Sequence, residues 1–374
     1  MTTKALRVAR LSIAFAIAIL SAAFFTGTAT AEPYLAVREG FQCTQCHVNS
    51  TGGGLRNAFG NAYVQSQLAA TRIDTGETVW TGSVGQMLAV GGDLRADAIV
   101  TNVPNSPQTR AFELEQTRLY LNFAVIPNRL SLYLDELVAP GAAINRESYV
   151  RYQSSNHAWS MKAGQLYLPF GLRLQDNDAL VRQLSAINMT TPDTGVEFSF
   201  DPGSWSTQFA ISNGSAGGPE TDTGKQVSLQ SVYVQRSWRA GFALNRNNSA
   251  SGDRNAMGVF GGFATGPFAW LAEIDYVIDK IVAGGLASGE RKQLAGLLEG
   301  NWLIRKGHNI KITVEQLDPD RDVAHDAQSR FSAIYEYTPL QYLQLRGGIR
   351  YYNGIAQVAL QNRRVAFVEL HGFF

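Results

Sequence analysis

Charge is scarce in this 374-residue chain: Asp, Glu, Lys and Arg make up 17% of it, against about 25% in an average protein. The formal net charge is +1, which excludes a basic nucleic-acid binder and a disordered polyelectrolyte. Cysteine is scarcer still, with two residues, so no disulfide framework holds the chain together. Beyond the N-terminus there is no apolar run of the roughly 20 residues that a spanning helix needs. What is plentiful is glycine, at 36 residues, and aromatic side chains, with 19 Phe, 14 Tyr and 6 Trp. They are interleaved with polar residues, which is a β composition.

The one apolar stretch, residues 11–25, follows Lys4, Arg7 and Arg10 and precedes Ala29-Thr30-Ala31. This is the layout of a secretory signal peptide cleaved before Glu32. A retained anchor is the alternative, but fifteen residues fall short of a span. Removing residues 1–31 leaves 29 basic against 31 acidic side chains, a net charge of −2.

Both cysteines lie in Phe41-Gln42-Cys43-Thr44-Gln45-Cys46-His47, the C-x-x-C-H pattern of c-type haem attachment. Two thiols at this spacing can each add to a vinyl group of one porphyrin while the next residue reaches the iron. Cys43 and Cys46 are thus the candidate attachment points of one covalent haem c, and His47 the candidate axial ligand. A zinc site would need a fourth ligand, and a Cys43–Cys46 disulfide gives no reason for His47. Gly52-Gly53-Gly54 follows, either to let the backbone approach a porphyrin face or as a flexible turn before an amphipathic helix carrying Leu55, Phe59 and Tyr63. Residues 32–83 form a small haem segment, too short to enclose a haem alone. They need something to pack against.

From residue 84 to 374 apolar and polar residues alternate in windows of about 9 to 12, the signature of transmembrane β-barrels. Leu130, Leu132 and Leu134 alternate with Ser131, Tyr133 and Asp135; Ile310, Ile312 and Val314 with Lys311, Thr313 and Glu315. Strands are expected over 87–100, 111–126, 130–138, 145–153, 158–168, 195–201, 205–213, 226–236, 238–247, 255–265, 268–279, 291–304, 309–317, 327–337, 341–353 and 363–374. Tight turns such as 127–129, 236–237 and 266–267 alternate with long connections at 101–110, 214–225, 280–290 and 318–326. This is how periplasmic and extracellular barrel ends differ. The expected fold is all-β: a 16-stranded antiparallel transmembrane β-barrel in outer-membrane lipid, both termini periplasmic, with the haem segment as plug. A soluble β-sandwich is the alternative.

Residues 164–173, Gly-Gln-Leu-Tyr-Leu-Pro-Phe-Gly-Leu-Arg, resemble the porin segment that precedes an inward-folded constriction loop, here about 172–194. Arg173 and Arg182 in it either narrow the lumen electrostatically or, as is expected of each alone, lie on a solvated loop face. The chain ends Phe373-Phe374, like the aromatic terminal strand of bacterial outer-membrane proteins. Taken with Cys43, Cys46, His47, Leu55 and Phe59-Gly60, the whole mature chain resembles the fused outer-membrane cytochrome-porins, a family that includes iron-oxidising cytochromes. The resemblance implies electron transfer between an extracellular redox substrate, Fe²⁺/Fe³⁺ among the candidates, and a periplasmic carrier such as a soluble cytochrome c. An iron-oxidising activity falls within that implication. Asp318, Asp320 and Asp322, with His325 and Asp326 nearby, are the candidate cation loop. A solute porin with a structural or sensing haem is the rival reading.

Residues 32–83 hold no second His and no Met, so a sixth iron ligand must come from the barrel, from Asn49 or from water. With Ala366, Val368, Leu370 and Phe374 facing lipid, Glu369 and His371 face the lumen; with Val90, Leu94 and Ala96 facing lipid, Met87 turns inward. The order of preference is His371, Met87, then Met189 in the constriction loop. His157 and Met161 are expected toward lipid, and His308 in a turn.

Overall fold

The computed structural model describes residues 32–374 except 75, 77, 78, 251, 284 and 285. The expected signal peptide, 1–31, lies outside the described residues. Among them no helix is long and apolar enough to cross a membrane. Strands make the crossing: Leu88–Asn102 (β1), Thr109–Ile126 (β2), Leu130–Ala139 (β3), Ile144–Gln153 (β4), Trp159–Leu166 (β5), Asp193–Phe200 (β6), Trp205–Ser212 (β7) and Gln226–Val234 (β8). Then follow Trp238–Ser249 (β9), Gly252–Thr265 (β10), Phe268–Ala283 (β11), Leu286–Arg305 (β12), His308–Asp318 (β13), Gln328–Leu340 (β14), Leu343–Asn353 (β15) and Arg364–Phe373 (β16). Each pairs antiparallel with the next, and β16 returns to β1 from Arg364↔Asn102 to Phe373↔Asp93. Closure leaves no free edge, which a sheet in lipid requires.

The side-chain alternation is the expected one. Arg118 and Tyr120 are buried while Leu119, Leu121 and Phe123 are exposed; Lys311, Thr313 and Glu315 are buried while Ile312 and Val314 are exposed. The lumen is ionic, with Arg95 on Glu369 at 3.0 Å, Lys162 on Glu197 at 3.1 Å and Arg330 on Glu315 at 2.6 Å. On the outer face, near the short turns, aromatic rings meet across strands: Tyr152–Trp159 at 5.5 Å, Trp205–Tyr233 at 4.9 Å and Phe268–Trp302 at 6.0 Å. Such a girdle marks a membrane interface. With the apolar band above it, it makes this a bacterial outer-membrane barrel.

Several expectations are corrected. The connection at 280–290 is largely strand, because β11 runs to Ala283 and β12 starts at Leu286. A two-residue strand, Ser83–Val84, pairs with Ala89 and Leu88, so Met87 sits in a hairpin turn ahead of β1 and is exposed instead of facing inward. His157 lies in the β4–β5 turn with φ 57°, between the two strands as their expected bounds place it. His308 opens β13, buried against Tyr337 with ring centroids 4.4 Å apart and bonded through Nδ1 to the Tyr335 hydroxyl. Met161 is exposed on the outer face, as parity requires.

The N-terminal segment enters the barrel at the short-turn end. Helix Pro33–Glu39 (α1) buries Tyr34 and Val37, with the Tyr34 hydroxyl donating to Glu336 Oε2 at 3.1 Å. Gln42 Nε2 donates to Gly203 and Trp205 carbonyls at 2.9 and 3.1 Å, and Lys306 Nζ reaches the Ser66 carbonyl at 2.7 Å. From the other end the connection between β5 and β6 folds into the lumen, where Leu172, Leu174 and, on the helix Leu180–Ser185, Leu180, Val181 and Leu184 are buried. Plug and loop meet in the middle.

Candidate functional site

Cys43 and Cys46 form a one-turn helix, Cys43–Cys46 (α2), capped reciprocally by Gln42 and Gln45. A spacing of three puts both thiols on one face of that turn. They are free and half-buried. His47 ends the turn in extended backbone, its N–H donating to the Cys43 carbonyl at 2.9 Å, and pairs with Arg56 across an isolated bridge. Asn57 locks the unit: its N–H donates to the Cys46 carbonyl at 2.9 Å and its Nδ2 to Thr44 at 3.0 Å. It also caps helix Ala58–Tyr63 (α3) through Gly60. A Cβ on Gly60 would strike the Cys46 carbonyl, which explains glycine there.

Cys43, Cys46 and His47 line one cavity of about 1550 Å³, its open mouth included. Burial, aided by the Arg56 guanidinium, pushes the His47 imidazole down to about 4. The ring is therefore neutral near pH 7, the form that ligates metals. Its Nδ1 is buried without a hydrogen-bond partner among the described residues. Burial, with Cys43 beside it, pushes the Cys46 thiol up to about 11, so it stays protonated.

Gly52, Gly53 and Gly54 have φ of 85°, 80° and 63°, three successive left-handed residues that other side chains adopt at a cost. A Cβ on Gly52 would lie 3.5 Å from Cys43 Sγ, and one on Gly53 3.2 Å from Met189 Sδ. The run is a tight fold of backbone at the cavity wall, not a flexible turn. At Gly54 a Cβ would strike the Tyr133 hydroxyl, which accepts from Leu55 N–H at 3.0 Å. Gly54→Ala is expected to lower stability by about 1–3 kcal/mol in urea unfolding. Gly141→Ala, left-handed at 79° with open space around it, should cost less; equal losses would show that the Tyr133 contact contributes nothing.

Of the three distal candidates, Met189 lines the cavity. His371 faces the lumen as expected, but both ring nitrogens are engaged: Nε2 with Asp93 Oδ2 at 2.7 Å, Nδ1 with Gln344 Oε1 at 3.0 Å. Met87, out in its hairpin, does not reach the cavity wall. Nor are Asp318, Asp320 and Asp322 gathered: Asp320 accepts from the Asp322 N–H at 3.1 Å, and the three carboxylates do not converge as a ligand group. His325 lies exposed with φ 67°.

The loop arginines are also corrected. Arg182 is fully buried, bonded to Glu273 and to the Phe170 carbonyl at 3.2 Å. Arg173 donates to Thr51 Oγ1 at 2.7 Å and stacks over Tyr167, tying loop to plug. Sequence reasoning missed the basic wall of the cavity. Arg56, Arg146, Arg173 and Arg239 line it, and none has an ion pair among the described residues. Nε of Arg56 and of Arg239 are buried without partners. Arg239 is buried and the other three are half-buried; guanidinium groups without a counter-charge at a cavity wall suit a ligand bearing acid groups. Two free thiols, a neutral imidazole and guanidinium groups are together a donor set that fits a haem with its two carboxylates.

The fold is that of outer-membrane porins. No protein-family model matches the chain, and no curated protein matches it. Among solved structures it is similar to an anion-selective porin from Comamonas acidovorans, with TM-score 0.61 and 12% identity over 77% of this chain and 99% of that one. OprB of Pseudomonas putida gives TM-score 0.59 and 11% identity over 77% and 94%. The channel DcaP of Acinetobacter baumannii gives 0.56 and 13% over 77% and 97%.

Proposed function

We propose that this chain is an outer-membrane electron-transfer protein in which a porin-type barrel holds one c-type haem. Cys43 and Cys46 would attach it and His47 would ligate its iron. The observation that carries this reading is the convergence of two free thiols and an imidazole on one cavity inside the barrel. Such a group, when bound, supplies a one-electron couple. The chain's own residues do the rest. The plug and the inward loop fill the lumen around the site, the guanidinium groups of Arg56 and Arg239 lie where carboxylates can be neutralised, and Met189 offers a thioether at the same wall. The electron partners that fit are a soluble periplasmic cytochrome on the short-turn side and an external acceptor or donor, iron included, on the long-loop side.

A second reading, passage of small anions, is favoured by the arginine wall and by the likeness to a porin described as anion-selective. One preparation separates the two. Reconstituted in liposomes with an entrapped reductant, the protein should reduce an external ferric chelate faster than empty vesicles, and in planar bilayers it should pass little ionic current. Open-channel currents with no electron flow would replace the first reading by the second.

A further inference from the structure

The β1–β2 ladder carries an irregularity: Arg95 pairs with Gln116 but Ala96 pairs with Leu114, which leaves Glu115 without a partner. The extra residue is a β-bulge, a device that re-aims a side chain. Here it brings Glu115 as well as Gln116 to the cavity wall. On the opposite edge of β1, Asp97 pairs with Glu369 of β16. The seam where the barrel closes thus gathers three carboxylates, with one oxygen of Asp97, Glu115 and Glu369 all within 4.8 Å of one another.

Their partners are unequal. Glu369 accepts from Arg95 at 3.0 Å and Arg346 at 3.1 Å. Asp97 is 9% exposed, and its Oδ1 is buried with no hydrogen-bond partner. Neither Asp97 nor Glu115 has an ion pair among the described residues. Asp97, buried and without an ion pair, bears a desolvation cost, and Glu115, exposed to the cavity, and Glu369 beside it repel it. A cation at the point they share removes both penalties.

We propose that Asp97, Glu115 and Glu369 form a binding site for a hard divalent cation in the lumen wall. An all-oxygen donor set selects cations of the Mg²⁺, Ca²⁺ and Mn²⁺ type over thiophilic ones. Glu115 opens to the cavity, so water completes the coordination from that side. Arg95 and Arg346 hold Glu369 in place and keep the site from accumulating excess negative charge.

The test uses the full chain, folded in detergent and stripped with chelator, and Mn²⁺ as probe, followed by the loss of its free-ion electron paramagnetic resonance signal. The wild-type protein should bind one Mn²⁺, and Asp97→Asn and Glu115→Gln should each weaken binding at least tenfold. Asp320→Asn, in the outer loop, should leave it unchanged. Heat-modifiable gel migration reports folding, and if Asp97→Asn does not fold, Glu115→Gln decides. A wild type that binds no Mn²⁺, or binding unaltered in the folded variants, overturns the proposal. A Cys43→Ser/Cys46→Ser chain should retain the site, so its outcome is independent of the haem reading.

Discussion

A Cys43→Ser/Cys46→Ser protein, produced with a cytochrome-maturation system, is expected to run on a denaturing gel without any haem staining. It should still show a strand-dominated circular dichroism spectrum and a heat-dependent shift. The two expectations separate because the cysteines lie on a one-turn helix at the cavity, whereas closure of the barrel rests on ladders that involve neither. Each single variant keeps one attachment point and should stain more weakly than the parent. His47→Gly leaves both thiols and should retain stain while changing the absorption of the reduced protein, since the group removed is the neutral imidazole beside Arg56. Full staining of the double cysteine variant would end the haem reading and leave the anion-channel one.

The strand meander was legible because side-chain parity is a local property. Ala366, Val368, Leu370 and Phe374 face out while Glu369 and His371 face in, as alternation alone requires. The inward-folded loop was legible from a ten-residue segment. What could not be read was any arrangement that depends on closure. Asp93 and His371 are 278 positions apart and meet through the β16–β1 seam; no window of sequence contains both. The bulge at Glu115 is a single unpaired residue inside an otherwise regular alternation. It shifts which face receives the neighbouring charges, and only the pairing of β1 with β2 reveals it. Met87 fails for a related reason: parity counted from β1 is right, but the chain turns back at Ser83–Val84 before parity can act.

Arg182→Met is expected to destabilise the folded barrel by about 3–5 kcal/mol, the usual result of removing one partner from a buried ion pair. Arg182 is 2% exposed. Its guanidinium bonds to the Glu273 carboxylate, lies 3.9 Å from Asp275 and donates to the Phe170 carbonyl at 3.2 Å. Glu273 in turn accepts from the Leu172 N–H at 3.0 Å, so one carboxylate of β11 holds both arms of the inward loop. Methionine keeps much of the apolar volume but leaves two fully buried carboxylates without counter-charge. Glu273→Gln in the same chain removes one of them, and the double variant should recover part of the loss. Urea unfolding in lipid vesicles measures both, and limited proteolysis should show the loop cut faster in Arg182→Met. A single variant within about 1 kcal/mol of wild type would mean that apolar packing of Leu180, Val181 and Leu184, all buried, holds the loop in the lumen unaided.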